Sequence, residues 1–463
     1  MTAASWQSGE GNLARDTDYN PLDAAAKRER RATSVRAVVY GALTILFVVV
    51  LLVMLFFWEG LGGYIGALPK DPQKAAQRLL EAAPVIVSYI IILCITRHDR
   101  LHIPRMDTSA NLPILARSIY SNNVSAIDLN QPMPGHVDIP RLREGKVGGF
   151  FWSTYVACPA GAGLDEGEDY LNATWRVRDT LEQIDVAQLL ISKYPETFSL
   201  ALSSADVKLS ISRGKIASLI GVEGGHQLGN SIAVLRQYFA LGVRYVTLTH
   251  VCHNAFADSC GLSPGMEPRW GGLSPLGFSL IEEMNRLGVL VDLSHTSDET
   301  AKQALKYTKA PVIWSHSSAR AVYDVPRNVP DDVLEMIGIA PDKTDAVVMV
   351  NFAPHFVAEP GNATVQTVAD HVDHIAKIAG KKHVGLGSDF DGISDVPVGL
   401  EDVSKYPALI AELYKRGWNR FELVGLTGRN LLRIMDKAER TAAELQTSGM
   451  VPIMALYDKR KDL

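Results

Sequence analysis

From about residue 146 the chain alternates short apolar runs with helix-like stretches, and nothing else in its 463 residues restricts the fold as much. The runs GGFFWSTYV, IASLIGVEG, VRYVTLTH, VLVDLSH, PVIWSHS, AVVMVNF and HVGLGSD read as strands. The segments between them, such as SIAVLRQYFALG, LGFSLIEEMNRLG, DETAKQALKYTKA and VADHVDHIAKIAG, space apolar residues three and four apart, and several close on glycine. Strand and helix in alternation build a parallel sheet. With an eighth strand upstream, around PVI at 84–86 or just before MDTSANLP, that sheet closes into a (β/α)8 TIM-like barrel. A doubly wound open sheet is the alternative. It lacks its usual phosphate loop, because the glycines of GVEGGH have the wrong spacing for G-x-G-x-x-G.

In a barrel of this kind the C-terminal ends of the strands form the active-site face, so a polar residue closing an apolar strand points at the site. Here the runs end on Glu223, His250, His295, His316, Asn351 and Asp389. A single histidine in such a place is ordinarily a packed, hydrogen-bonded core residue. Several imidazoles and two carboxylates on one rim are different, because burying that many ionisable groups is costly and a divalent cation offsets much of the cost. Imidazole with carboxylate suits a catalytic zinc or similar ion with a position open to water. Cys252 and Cys260 are not arranged as C-x2-C, which disfavours a structural zinc finger. Such an ion lowers the pKa of bound water to about 7 and polarises a carbonyl, so the reaction class implied is hydrolysis.

Composition narrows the partners. With 47% hydrophobic and 21% charged residues the chain buries a large core and is not disordered. A net charge of -5, with no stretch where Lys and Arg interleave with aromatics, argues against nucleic acid. Residues 1–36 form a polar tail with the basic cluster KRERR at 27–31, and 37–58 is an uncharged run, AVVYGALTILFVVVLLVMLFFW. At helical rise this run crosses about 30 Å, the bilayer core. It is longer than a signal peptide's apolar region, so it reads as an uncleaved single-pass anchor. Positive charge on its N-terminal side predicts a cytoplasmic tail, with everything after it extracellular or lumenal. Residues 59–83 are then a linker or helical stem. Four cysteines are too few for a disulfide scaffold, although an outward domain can keep a disulfide. Sequons at Asn123, Asn172 and Asn362 are compatible with a glycoprotein on that side.

Between Pro134 and Ala438 the chain resembles the membrane dipeptidase family, the renal-type zinc peptidases. The resemblance is carried by HVDIPRLREGKVGGFFWSTYVAC, GVEGGH, RYVTLTH, VDLSHTS, VIWSHSSAR, RNVPDD, GSDFDG and GLEDVSKYP. It implies a dipeptidase barrel over 84–440, followed by a tail at 441–463, that hydrolyses small dipeptides with two zinc ions. In that pattern Glu223 bridges the ions, and His295 and His316 complete the second zinc. His250 lies near the substrate carbonyl and stabilises the oxyanion. Arg327 holds the substrate's C-terminal carboxylate, and Asp389 shuttles a proton from water to the leaving amine. The resemblance also implies a Cys158–Cys252 disulfide and leaves a homodimer open. The chain ends YDKRKDL, without the hydrophobic tail of a C-terminal lipid-anchor signal, so the N-terminal helix is expected to serve as the anchor.

One motif departs from the family. Its Asp-x-His-x-Asp-Leu-Pro stretch, whose His and second Asp bind the first zinc, corresponds to DTSANLP at 107–113, with Ser109 and Asn111 in the ligand positions. Residues 87–106 read as an insertion between PVI and that motif. A neutral hydroxyl and amide are poor zinc ligands, so the first site is expected to be weakened. Two alternatives to a working dipeptidase follow: a non-catalytic binding protein that keeps Arg327, and a hydrolase of another small amide.

Overall fold

The computed structural model describes residues 21–56, 68–90, 116–117, 120–158, 175–261 and 267–459. Ser109, Asn111 and the Asn172 sequon lie outside the described residues. The strands are β1 (Val85–Ile90), β2 (Val147–Thr154), β3 (Phe198–Leu200), β4 (Ile216–Glu223), β5 (Val243–Thr247), β6 (Leu290–Asp292), β7 (Val312–Trp314), β8 (Ala346–Val350) and β9 (Val384–Leu386). They pair in parallel in the order β1-β2-β4-β5-β6-β7-β8-β9, with β3 beside β4 and off this path. The result is a nearly closed eight-stranded barrel with helices between the strands.

The eighth strand occupies the first of its two expected places. It also runs on to Ile90, so residues 87–90 of the 87–106 stretch continue β1, and residues 91–106 lie outside the described residues. The short strand β3 has no counterpart among the expected strands. Several strands are shorter than the apolar runs that announced them. Strand β6 stops at Asp292 and β7 at Trp314, which leaves His295 and His316 in turns beyond the strand ends.

The expected helices form at Ile232–Ala240, Pro275–Leu287, Asp298–Tyr307 and Val365–Ile378. Their ends are chemically marked. Ser274, Ser297 and Thr364 accept hydrogen bonds from the first-turn amides of the last three, and Gly288, at φ 78°, stops the helix that begins at Pro275.

Alternation along each strand sorts the core into two layers. Phe151, Ala217, Leu219, Tyr245, Leu290, Ile313, Val347 and Met349 pack together inside the barrel, while their neighbours pack outward against the helices. Inside, small faces large: a Cβ on Gly221 would lie 2.1 Å from the Tyr245 ring. The same two-residue period carries Glu223, Thr247, Asp292, Ser315 and Asn351 onto the inner face at its C-terminal end.

Residues 68–463 form one compact unit and residues 1–67 another. In the second, Pro21–Phe56 is a single helix that carries the basic cluster and the apolar run as far as Phe56. Its segment Arg28–Val50 is long and apolar enough to cross a membrane.

Candidate active site

Strand β4 is buried throughout and delivers Glu223 to the rim. The glycines after it are steric necessities. At Gly224, φ 125°, a Cβ would lie 2.4 Å from the His226 ring, and at Gly225 it would lie 2.6 Å from the Leu248 carbonyl. These contacts account for the GVEGGH spacing without any phosphate.

Around Glu223 Oε1 lie His295 Nε2 at 3.2 Å, His316 Nε2 at 3.3 Å and His250 Nε2 at 3.6 Å, and the two nitrogens of His295 and His316 are 2.9 Å apart. Donors held about 2.0–2.1 Å from a tetrahedral ion stand about 3.3 Å from one another. The Glu223, His295 and His316 atoms therefore have the spacing of ligands to one ion. Burial, followed by the Arg327 charge, pushes the pKa of His295 and His316 well below the usual histidine value; burial, His226 and Arg327 do the same to His250. Neutral imidazoles keep the lone pairs that ligation requires. The donor set and its spacing fit a divalent metal.

Backbone strain and hydrogen bonds aim these groups. His295 sits in the left-handed region at φ 64°, and its carbonyl accepts from Thr249 Oγ1 at 3.0 Å and the Cys260 amide at 2.8 Å. His316 Nδ1 lies 2.7 Å from Ser315 Oγ. Ser315 Oγ in turn donates to Asp292 Oδ2 at 2.6 Å. Asp292 and Ser315 were not among the residues expected at the site, because in sequence each lies within an apolar run that closes on a histidine.

Arg327 is 3% exposed, and its Nη1 donates to Ser317 Oγ at 2.6 Å. Its Nε and Nη2, the edge that grips a carboxylate side-on, have no hydrogen-bond partner among the described residues. Asp389, at φ 62°, accepts from Asn351 Nδ2 at 3.2 Å. Burial raises its pKa to about 7, against the opposing pull of Arg327 and Asn351. The Arg327 charge disfavours protonation of His250, His295, His316 and Asp389, and Arg327 lines one cavity with His295.

The rim loops are tied together. Cys158, just past β2, is bonded to Cys252, just past β5, and His226 Nε2 lies 2.7 Å from the Val156 carbonyl between them. His136, in the GHVDIP stretch, pairs with Asp391 of GSDFDG at 2.9 Å and locks the loop that carries Asp389. Nothing in the sequence beyond the two motifs themselves announces that pairing.

A parallel barrel with a buried carboxylate and imidazole nitrogens at ligand spacing on its C-terminal rim defines a metal-dependent hydrolase of the TIM-barrel type. Its sequence places it more narrowly. The chain belongs to the membrane dipeptidase family, peptidase family M19, whose pattern matches residues 98–449. An uncharacterized dipeptidase of Schizosaccharomyces pombe is 48% identical over 347 residues, covering 73% of this chain and 81% of that protein. Among solved structures, a probable dipeptidase of Pseudomonas aeruginosa superposes with a TM-score of 0.66 at 22% identity, covering 81% of this chain and all of that one. A metallopeptidase of Rhodobacter sphaeroides, liganded with a phosphinate mimic of the dipeptide L-Ala-D-Ala, gives 0.63 at 24% identity, covering 77% of this chain and 99% of its own. Both share the fold.

Proposed function

We propose that the protein is a membrane-anchored, zinc-dependent dipeptidase in which Glu223, His295 and His316 hold the second zinc of the family pattern. The observation that carries this reading is the buried Arg327 fork, with two N–H groups unpaired among the described residues, in the same field as the ligand cluster. A free α-carboxylate satisfies such a fork, and a dipeptide places that carboxylate one residue from its only peptide bond. Zinc, when bound, supplies a Lewis acid and makes water a better nucleophile near neutral pH.

The chain's own residues do the rest. Arg327 fixes the substrate's carboxyl end, and His250 faces the carbonyl oxygen as charge develops on it. Asp389, with its pKa raised to about 7, takes a proton from the attacking water and delivers it to the leaving amine. The apolar segment 37–58 anchors the chain, with the basic tail cytoplasmic and the barrel outside, and the Cys158–Cys252 bond supports that side.

Ser109 and Asn111 favour a second reading, a barrel that binds dipeptides but hydrolyses them slowly. The two readings separate by measurement on the purified full chain. We expect fewer than two tightly held zinc ions and slow dipeptide turnover. The double substitution Ser109→His with Asn111→Asp is expected to add zinc and raise turnover by at least about tenfold. Two tight ions and full activity in the unaltered protein would refute the weakened site, and repaired zinc binding without turnover would favour the binding protein.

A further inference from the structure

We propose that Asp292 is a positioning residue that sets the tautomer of His316 through the hydroxyl of Ser315; this rests on reading His316 as a metal ligand. Asp292 is fully buried on the inner face of the barrel, where no cation pairs with it among the described residues. Four donors converge on it instead. The Ser294 and Ser315 amides reach Oδ1 at 3.0 and 2.8 Å, and the Thr247 and Ser315 hydroxyls reach Oδ2, each at 2.6 Å. A carboxylate so surrounded acts only as an acceptor, so the single Ser315 proton points at Oδ2. Ser315 Oγ then offers a lone pair to His316 Nδ1, 2.7 Å away, and Nδ1 must carry the ring proton. The lone pair is left on Nε2, which faces Glu223 Oε1 at 3.3 Å and His295 Nε2 at 2.9 Å. Polarity is thus handed from strand β6 to a ligand beyond strand β7. His295 lacks such a relay: its Nδ1 has no partner among the described residues, and its strained backbone aims it instead.

Asp292→Asn keeps the shape and reverses the polarity at one end. Its carbonyl has to face the two backbone amides, so its NH2 group faces the hydroxyls of Thr247 and Ser315. Ser315 Oγ then accepts from the amide, and its proton turns toward His316 Nδ1; the neutral Ser294 Oγ, at 3.2 Å, is a weaker acceptor. His316 is driven to hold its proton on Nε2, where ligation is blocked. Ser315→Ala removes the relay without imposing the wrong tautomer. Thr247→Val removes one donor from Asp292 and leaves the relay's direction unchanged.

The test is Zn2+ affinity of the full chain in detergent, measured by competition with a chromogenic chelator, with thermal unfolding of each variant alongside. Asp292→Asn should weaken binding about 10- to 100-fold, the range for loss of an outer partner of a ligating histidine, and Ser315→Ala by less than about tenfold. The combined Asp292→Asn, Ser315→Ala chain should bind more tightly than Asp292→Asn alone, because the hydroxyl that imposes the wrong tautomer is gone. A purely structural role for the network predicts the opposite, a combined variant weaker than either. Thr247→Val should lower the unfolding temperature without changing affinity, so Thr247→Val and Ser315→Ala decide the matter even if Asp292→Asn does not fold. Unchanged affinity in Asp292→Asn, equal affinity losses in Thr247→Val and Ser315→Ala, or no rescue in the combined variant would overturn the relay alone. An unaltered chain that takes up no Zn2+ would overturn the metal reading and the relay with it.

Discussion

Arg327 shows what a single buried side chain reveals about a ligand. An unpaired guanidinium edge inside a protein is costly, and in the proposed reading a substrate carboxylate offsets that cost. Arg327→Lys should therefore raise the KM for dipeptides by about tenfold or more, since a point charge cannot replace the fork. A C-terminally amidated analogue should bind the two proteins equally; equal losses for both ligands would remove Arg327 from substrate binding. Asp389 carries a different signature. Its carboxyl has a folded pKa of about 7 against 3.8 when exposed, so the folded state holds the extra proton between those values. That contribution to stability is present below about pH 4 and is lost as pH rises toward 7. Asp389→Asn should thus lower turnover at least about a hundredfold while raising the unfolding temperature more at pH 8 than at pH 5. A stability gain that is the same at both pH values would show that Asp389 is not held protonated by burial. Arg327 was legible in sequence only through the motif around it and Asp389 also as the polar end of an apolar run, but the chain by itself does not say that Arg327 keeps two unpaired donors among the described residues or that Asp389 is buried.

At the scale of the element, the strand–helix rhythm was readable because each step of it is local. Apolar runs, three- and four-residue spacing, Ser or Thr before a helix and Gly after one are all decided by near neighbours. The strand ends were less readable. The apolar run through Leu293 continues past the end of β6, but Asp292 takes the Ser294 and Ser315 amides for its own carboxylate, so strand pairing stops and the turn that aims His295 begins. The inward or outward sense of each strand residue was hidden as well. Both faces of a barrel strand are apolar, so Phe150 and Phe151 look alike in sequence although one packs against the helices and the other fills the barrel. Strand β3 escaped notice because three residues carry no period.

For the whole molecule, the N-terminal unit and the barrel make separable predictions. The full chain should partition into the detergent phase when a cloud-point detergent separates, whereas a chain beginning at Leu68 should stay in the aqueous phase and remain folded. A full chain recovered from the aqueous phase would remove the anchor from the proposal. The class of fold, the family motifs, the apolar segment and the chemical types at the strand ends are legible in the chain alone, because each of these is written in neighbouring residues. The ligand spacing of Glu223, His295 and His316 and the place of Asp292 beneath His316 come from the folded barrel alone, which also closes the Cys158–Cys252 bond that the family resemblance implied. Those contacts join residues far apart in the chain. Their distances are set by closure of the barrel and by its two-residue inner period, which no local stretch of sequence encodes.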